Sequence, residues 1–223
     1  QHAKLYADLR SFVTSADELT QNELELAYGA TIGFERLGKE RLAKQAYSTF
    51  GELFSAQKDE LLKSYGDRML AVARRLDLLG NELEVSGQTL EGEEIDWNGY
   101  RGKVVLIDFW ATWCGPCVAE LPNVKKHYEK YRDRGFEVVG ISLDQDAQKL
   151  ESFIKKRELP WVTLFEAGGE QPVAKYYGVQ QIPTVILVDR EGVVISMDAR
   201  GEELGRQLEN LLGPPSEVHA KVE

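Results

Sequence analysis

Two cysteines that follow directly on a long apolar run constrain the fold of this chain more than any other feature. Residues 104–110 read Val-Val-Leu-Ile-Asp-Phe-Trp, a composition typical of a strand buried on both faces. Cys114 and Cys117 are the only 2 cysteines of the 223 residues. Residues 118–134 predict a helix. The pattern therefore indicates a buried strand that turns sharply into a helix, with a cysteine pair at the helix N-terminus.

The position of Cys114 predicts a reactive thiol. Unpaired backbone N–H groups in the first helical turn favour negative charge, so the thiol ionises more readily. The thiolate is the nucleophile in disulfide exchange, and Cys117, one turn later, can resolve the mixed disulfide. Gly115 and Pro116 set the turn between them, because proline is tolerated in the first helical turn. We expect Trp113 to shield one side of Cys114 and to leave its sulfur facing outward.

Composition and charge exclude several other classes of function. Hydrophobic residues make up 43% of the chain and charged residues 29%, which fits a soluble globular protein of one or two domains. The net charge is −10, and most of the acidity follows residue 80, which argues against a nucleic-acid partner. Two cysteines and 3 histidines do not form a structural zinc set, so we expect no metal and no other cofactor.

The sequence shows neither a membrane-spanning run nor a recognisable signal peptide. No run of 18 apolar residues occurs, so we expect no membrane span in this chain. No signal peptide is recognisable, but the chain opens on Gln1, and a removed leader or anchor stays an open alternative.

Residues 1–80 predict helices throughout, as a separate helical domain or arm. Two hypotheses remain open for this part: a bundle that packs its apolar faces internally, or a docking module for a partner or a second copy of the chain. The predicted features are a capping box at residues 15–18, a break near Gly29 and Gly33 or at Gly38, helices over 39–54 and 57–79, and a stop at 80–81.

After residue 80 strands and helices alternate, which indicates right-handed crossovers between parallel strands. A redox domain is predicted over residues 81–215, followed by a disordered tail at 216–223. Its elements are a short hairpin over 82–97, strands at 104–110 and 136–143, an extended piece opening at 160–161, an antiparallel pair at 184–188 and 193–197, and helices at 118–134, 146–157, 172–177 and 204–212.

Residues 92–97, 100–103 and the Ala-Thr at 111–112 resemble the TlpA/ResA branch of the thioredoxin superfamily. Three motifs, in this order, resemble those of thioredoxin-fold proteins in general. They are Asp-Phe-Trp-Ala-Thr-Trp-Cys-Gly-Pro-Cys at 108–117, Ile-Pro-Thr at 182–184 and Asp-Arg-Glu-Gly at 189–192. The resemblance covers about residues 81–213 and does not reach residues 1–80. It implies a thioredoxin-like α/β fold, a central mixed sheet flanked by helices, here preceded by an all-α segment. It also implies an exported or membrane-tethered thiol-disulfide oxidoreductase facing an extracytoplasmic space.

Asp108 interrupts the apolar strand, and burial there should raise its pKa. The resemblance matches Asp108 with the buried acid of thioredoxin and implies that it accepts the proton of Cys117. Much of the TlpA/ResA branch carries a non-acidic residue at this point, so here the chain is more similar to thioredoxin itself. The alternative is a strand-end charge that reaches solvent or pairs with a lysine. Glu120 is expected on the helix surface, with an electrostatic effect on the site.

Pro183 is the second element of the predicted site. The resemblance implies that the Ile182–Pro183 bond is cis and lies next to Cys114. The Ile182 backbone would then pair with an extended segment of substrate. The alternative is an ordinary trans proline that opens a strand.

The leading functional hypothesis is reduction of disulfides in other proteins. The resemblance supports this direction, since Gly-Pro is the dipeptide between the cysteines of reducing thioredoxins. The expected partners are a protein disulfide substrate and an upstream electron-donor protein. Two alternatives are an oxidant that introduces disulfides, and a redox-sensing scaffold that acts through residues 1–80. The sequence predicts no oligomeric state.

Overall fold

The computed structural model describes residues 1–16, 18–179 and 181–214, and the chain divides into two compact units. The first contains Gln1–Asp77 together with Lys175–Val179, and the second contains Leu78–Ala174 and the described residues from 181 onward. The division into domains at residues 80 and 81 stays a prediction. The predicted tail at 216–223 lies outside the described residues.

The first unit is built from helices that bury their apolar faces against each other. Phe34, Phe50 and Met69 are fully buried in this cluster. The helices therefore pack internally, as one of the two hypotheses for this part predicts. They are α1 (His2–Thr14), α2 (Gln21–Arg36), α3 (Glu40–Ser55) and α4 (Glu60–Leu76).

Gly66 lets α4 approach α3 closely. A Cβ atom at this position would lie 2.1 Å from the backbone nitrogen of Ser55, which no real side chain could tolerate. The start of α4 is fixed by Asp59, whose side chain accepts a hydrogen bond from the Leu62 N–H at 3.0 Å. Glycine at position 66 is therefore required by the packing of α4 against α3.

A short segment from late in the chain completes the first unit. The Nε of Arg74, on α4, donates a hydrogen bond to the carbonyl of Tyr176 at 2.9 Å, and its guanidinium carbon lies 4.3 Å from the centre of the Tyr176 ring. Gly178 has a φ of +59°, and a Cβ there would lie 2.9 Å from the Val72 nitrogen. Residues 175–179 are thus held by both hydrogen bonding and close backbone packing.

The capping box lies five residues further along the chain than the sequence predicts. Ser15 is the C-cap residue of α1, and its N–H donates to the Ser11 carbonyl at 3.0 Å. The capping box of α2 is formed instead by Thr20 and Glu23, whose carboxylate accepts from the Thr20 N–H at 3.0 Å. The prediction at residues 15–18 is wrong because Ser15 caps the end of α1 and does not begin the next helix.

The first helix break falls at one of its two predicted places, and one helix end differs from the prediction. Helix α2 continues through Gly29 and Gly33, and the break falls at Gly38, which has a φ of +65°. Helix α4 ends at Leu76, earlier than predicted, because the Gly80 N–H donates to the carbonyl of Val194.

The second unit is a five-stranded mixed sheet in the order β3-β2-β1-β4-β5. The strands are β1 (Val104–Trp110), β2 (Phe136–Ser142), β3 (Val162–Leu164), β4 (Thr184–Val188) and β5 (Val194–Ser196). The central strand β1 is buried along its whole length, as the apolar run predicts. It pairs parallel with β2 and antiparallel with β4.

Helices join and flank these strands. They are α5 (Gly115–Tyr131), α6 (Ala147–Arg157), α7 (Pro172–Tyr176, which crosses into the first unit) and α8 (Glu202–Leu212). Gly135 ends the crossover after α5 with a φ of +87°, and β2 begins at the next residue. The fold is the thioredoxin-like arrangement that the resemblance implies.

The hairpin predicted over residues 82–97 does not form as a pair of strands. One antiparallel bridge, between Gln88 and Glu94, closes a short turn within the stretch, and the Thr89 N–H donates to the Glu93 carbonyl at 2.7 Å. Other bridges run to separate places: Glu82 to Val193, and Thr89 to Leu164. The Trp97 indole N–H donates to the Leu83 carbonyl at 2.8 Å. The predicted hairpin therefore forms only as a turn with a single internal bridge, because the other backbone partners of this stretch come from the core sheet.

The topology brings one set of chain segments to a single edge of the sheet. Strands β1 and β2 are parallel, so the residues that follow Trp110 and Ser142 leave the sheet at the same edge. Strand β4 runs antiparallel to β1, with Thr184 paired to Phe109, so the residues before Thr184 reach that edge too. Among the described residues, no helix is long and apolar enough to cross a membrane.

Candidate active site

The two cysteines form a disulfide at the N-terminus of α5. Cys114 is the N-cap residue, and its Sγ accepts a hydrogen bond from the Cys117 N–H at 3.3 Å. Gly115 and Pro116 make up the first turn of the helix, as predicted for a proline in this position. The helix therefore directs an unpaired amide of its first turn at the sulfur that the sequence predicts as the nucleophile.

Burial at the cysteine pair differs from the expectation. Cys114 is 5% exposed and Cys117 is 2% exposed, so the sulfur that was expected to face outward is largely covered in the disulfide form. The exposed group is Trp113, with 67% of its surface accessible. A large indole that stands in solvent beside the disulfide gives the site an apolar contact surface.

Asp108 lies on β1, is 5% exposed, and has a pKa raised from 3.8 to about 7. The largest cause is the loss of solvation on burial, and the negative charge of Glu120 raises the pKa further. The positive charge of Arg200 lowers the pKa of Asp108 and so opposes these two causes. The carboxyl is therefore buried rather than a strand-end charge that reaches solvent.

Glu120 has more contacts than the surface position predicted for it. Its carboxylate accepts hydrogen bonds from the Gly201 N–H at 2.8 Å and from the Asn123 side chain at 2.7 Å. Asn123 in turn donates to the Gly201 carbonyl at 3.1 Å. These bonds link α5 to the loop before α8 and hold the second carboxylate of the site in place. The predicted electrostatic effect of Glu120 agrees with the raised pKa of Asp108.

The Ile182–Pro183 peptide bond is cis, as the resemblance implies. It immediately precedes β4, whose first residue, Thr184, pairs with Phe109 near the end of β1. Ile182 packs against the apolar cluster that contains both cysteines. The cis bond and the disulfide thus lie at the same edge of the sheet.

Sequence reasoning missed a second buried carboxylate at this edge. Asp144 is 4% exposed and accepts hydrogen bonds from the N–H and hydroxyl of Thr112, at 2.9 and 2.6 Å. A signal was present, since an acidic residue directly after a buried parallel strand lies where functional groups gather in α/β sheets. Arg200 was missed as well, and nothing in the surrounding sequence marks it.

The site offers little for a metal ion. Within the described residues, no group of three or more His, Cys, Asp and Glu side chains converges as metal ligands would. Its chemistry is that of a dithiol or disulfide, a buried carboxyl group and a cis-proline loop, which together define a thiol-disulfide exchange site.

Comparison with known proteins leads to the same class. The Redoxin family profile matches residues 66–212. Thiol-disulfide oxidoreductase ResA of Bacillus thuringiensis subsp. konkukian is 37% identical over 123 residues, which cover 55% of this chain and 69% of that protein. ResA of Geobacillus thermodenitrificans is 31% identical over 125 residues, or 55% of this chain and 71% of that one.

Solved structures show the same similarity. The thioredoxin domain of a thiol-disulfide oxidoreductase from Bacteroides vulgatus superposes with a TM-score of 0.55 and 29% identity, covering 60% of this chain and 97% of that domain. A thiol-disulfide oxidoreductase from Bacteroides fragilis has a TM-score of 0.54 and 31% identity, covering 59% of this chain and all of that one.

Fold and site together define a thiol-disulfide oxidoreductase of the thioredoxin-like class. The chain belongs to the Redoxin family and, within it, to the TlpA/ResA-like thiol-disulfide oxidoreductases.

Proposed function

We propose that this oxidoreductase reduces disulfide bonds in other proteins. The proposal rests on the Cys114–Cys117 pair at the start of α5. The Cys117 N–H donates a hydrogen bond to the Cys114 sulfur, with 3.3 Å between nitrogen and sulfur. The same amide would stabilise a thiolate on Cys114 in the reduced form. The Gly-Pro dipeptide between the cysteines supports the reducing direction by resemblance to thioredoxins.

The reaction transfers two electrons and two protons from the dithiol to the substrate. The Cys114 thiolate attacks one sulfur of the substrate disulfide, so that a mixed disulfide forms and the other substrate sulfur leaves as a thiolate and takes up a proton. Cys117 then loses its proton and attacks the Cys114 sulfur. The second substrate thiol is released, and the protein is left with the Cys114–Cys117 disulfide.

Asp108 is proposed to take the proton of Cys117 during the second step. A pKa of about 7 suits a group that exchanges protons near neutral pH, since its protonated and ionised forms are then both populated. The transfer can run directly or through one water molecule. Asp108 would then return the proton to solvent before the next turnover.

Substrate binding is proposed to involve the exposed indole and the cis-proline loop. Trp113, Gly115 and Pro116 present a largely apolar rim around the disulfide. The backbone of Ile182, before the cis bond to Pro183, would pair with an extended segment of the substrate chain. Such backbone pairing recognises a conformation rather than a particular sequence.

The cellular setting is also part of the proposal. Each turnover leaves the protein oxidised, so an upstream electron-donor protein must reduce it again. The resemblance of this chain to the TlpA/ResA branch supports an exported or membrane-tethered location facing an extracytoplasmic space. A protein disulfide on that side would be the substrate.

The midpoint potential of the Cys114–Cys117 pair tests the direction of electron flow. Equilibration in dithiothreitol and glutathione buffers, with the disulfide fraction measured by thiol labelling, should give a value near about −270 mV, as for reducing thioredoxins. A value near about −120 mV would make the protein a disulfide donor and overturn the proposal. Insulin reduction by the wild type, with Cys114→Ser as the inactive control, tests the exchange itself.

A further inference from the structure

Asp144 is a buried charged group that the exchange reaction does not use. Its carboxylate accepts three hydrogen bonds: Oδ2 from the Thr112 N–H and from the Ser142 hydroxyl, both at 2.9 Å, and Oδ1 from the Thr112 hydroxyl at 2.6 Å. Hydrogen bonds to a charged acceptor are roughly twice as strong as neutral ones. A carboxylate that accepts this many hydrogen bonds holds the residues that donate them in fixed positions at this edge of the sheet.

The position of Asp144 is itself determined by β2. The Asp144 N–H donates to the Ser142 hydroxyl oxygen at 3.0 Å, and the Leu143 N–H donates to the Trp110 carbonyl at 2.9 Å. The hydrogen bonding between β1 and β2 therefore continues one residue past the end of β2. Asp144 follows directly and cannot shift without breaking one of these bonds.

Thr112 belongs to the turn that carries the nucleophile. This turn is closed by the Cys114 N–H, which donates to the Ala111 carbonyl at 3.1 Å. Thr112 precedes Trp113 and Cys114, so its bonds to Asp144 fix the chain in the middle of the turn. The Trp113 side chain is 67% exposed, so its packing contributes little to holding the turn.

We propose that Asp144 and Thr112 are positioning residues that hold the Cys114 turn in the geometry required for disulfide exchange. The inference rests on the proposed function for its catalytic meaning. In exchange, the attacking sulfur has to meet another sulfur at bonding distance and along a defined line, so small displacements are costly. Loosening the turn also lowers the effective concentration of the Cys114 thiol at Cys117, which disfavours the internal disulfide.

The test compares two substitutions at residue 112 with a matched control. Thr112→Val keeps the shape of the side chain but removes the donor to Asp144, and Thr112→Ser keeps the donor. Thr163→Val is the control, because it is the same substitution at a buried threonine whose hydroxyl has no hydrogen-bond partner among the described residues. If Thr112→Val does not fold, Asp144→Asn takes its place, with the same expectation.

We expect Thr112→Val to reduce the internal disulfide equilibrium constant threefold to tenfold, a shift of about 15 to 30 mV toward less negative potential. Thr112→Ser and Thr163→Val should stay at the wild-type value. A role in stability alone would weaken both redox forms equally and leave the potential unmoved. A Thr112→Val potential equal to that of Thr163→Val would therefore overturn the inference.

The two proposals fail in different ways. Wild-type protein that does not reduce insulin contradicts the proposed function, while the potential of the Thr112 variants still reports on the positioning of Cys114. Where insulin is reduced, kcat/KM of Thr112→Val should fall about tenfold relative to Thr163→Val. A kcat/KM equal to the control would contradict the positioning role.

Discussion

Two buried carboxyl groups near the same edge of the sheet, Asp108 and Asp144, have opposite surroundings. Asp108 on β1 and Asp144 after β2 are 5% and 4% exposed. Asp144 accepts three hydrogen bonds from Thr112 and Ser142. The pKa of Asp108 is raised to about 7 by burial and by Glu120, with no hydrogen bond from the described residues among its causes.

The difference shows that burial alone does not decide what a carboxyl group does. Loss of water disfavours the charged form, and only donors or opposite charges restore it. Asp144 has the donors and is suited to hold structure. For Asp108 no hydrogen bond from the described residues opposes the loss of solvation, and Arg200 opposes it only in part. Neither form of the carboxyl is therefore strongly preferred near neutral pH, and the group is suited to exchange a proton.

The largest expected effect is on stability, from Asp108→Asn in the disulfide form. The carboxyl group has a pKa near 3.8 unfolded and about 7 folded, so the folded state binds more protons between these values and its stability falls as pH rises through them. At pH 8 the substitution should stabilise the protein by about 4 kcal/mol. Urea unfolding at pH 8 measures this.

The pH dependence is the control for that prediction. Near pH 4 the wild-type carboxyl is protonated in the folded state and about half protonated in the unfolded chain, so the stability difference between wild type and Asp108→Asn should shrink to below about 1 kcal/mol. A stability difference that does not change between pH 4 and pH 8 would contradict the raised pKa of Asp108.

Asp144→Ala should act in the opposite direction and somewhat less strongly. It removes the acceptor of three hydrogen bonds and leaves their buried donors unpaired, which should destabilise the protein by about 3 kcal/mol. Ser142→Ala removes one of the three donors and should cost about 1 kcal/mol. Equal stability of Asp144→Ala and wild type would remove the contrast with Asp108.

The next effect concerns rate rather than stability. Asp108→Asn should slow reduction of a protein disulfide at pH 7 about tenfold or more, because the Cys117 proton loses its acceptor. In wild type the rate of the resolving step should rise through about pH 7, as Asp108 ionises, and this rise should be missing in the variant. Stopped-flow insulin reduction from about pH 5.5 to about pH 8.5, on both sides of the pKa of Asp108, distinguishes the two profiles. An unchanged rate in Asp108→Asn would remove Asp108 from the mechanism.

The smallest effect comes from the neighbours of Asp108. Glu120→Gln removes a like charge but retains an oxygen for the Gly201 N–H, so the pKa of Asp108 should fall by less than about one unit. Arg200→Gln removes an opposite charge and should raise it. Titration of the Asp108 carboxyl by NMR measures both shifts, and two shifts of the same sign would be inconsistent with this arrangement of charges.

The sequence predicts those parts of the molecule that depend on neighbouring residues. A fully apolar run before a cysteine pair allows few structures, and β1 and the start of α5 follow from it. The cis bond before β4 follows from a short motif that resembles the thioredoxin family. Local pattern fails where two similar motifs compete, as at Ser15 and Thr20, because the end of α1 decides between them.

Contacts between distant residues were beyond such reasoning. Thr112 and Asp144 are separated by 32 positions, and Glu120 and Gly201 by 81. Their meeting depends on strand order and on how far each helix runs. The hairpin predicted at 82–97 forms only as the single Gln88–Glu94 bridge for the same reason, since other backbone partners of this stretch belong to the core sheet.

The segment Lys175–Val179, which belongs to the helical unit, has a practical consequence for dividing this chain. The chain enters that unit twice, so no single cut yields either unit whole. Proteolysis after Asp77 would release helices without the Tyr176 carbonyl that Arg74 holds. Excision of the redox part as one fragment would carry the segment away from its partners. Insertions and gene fusions should preserve both folds only if they keep Lys175–Val179 connected to the redox part and free to pack on the helices.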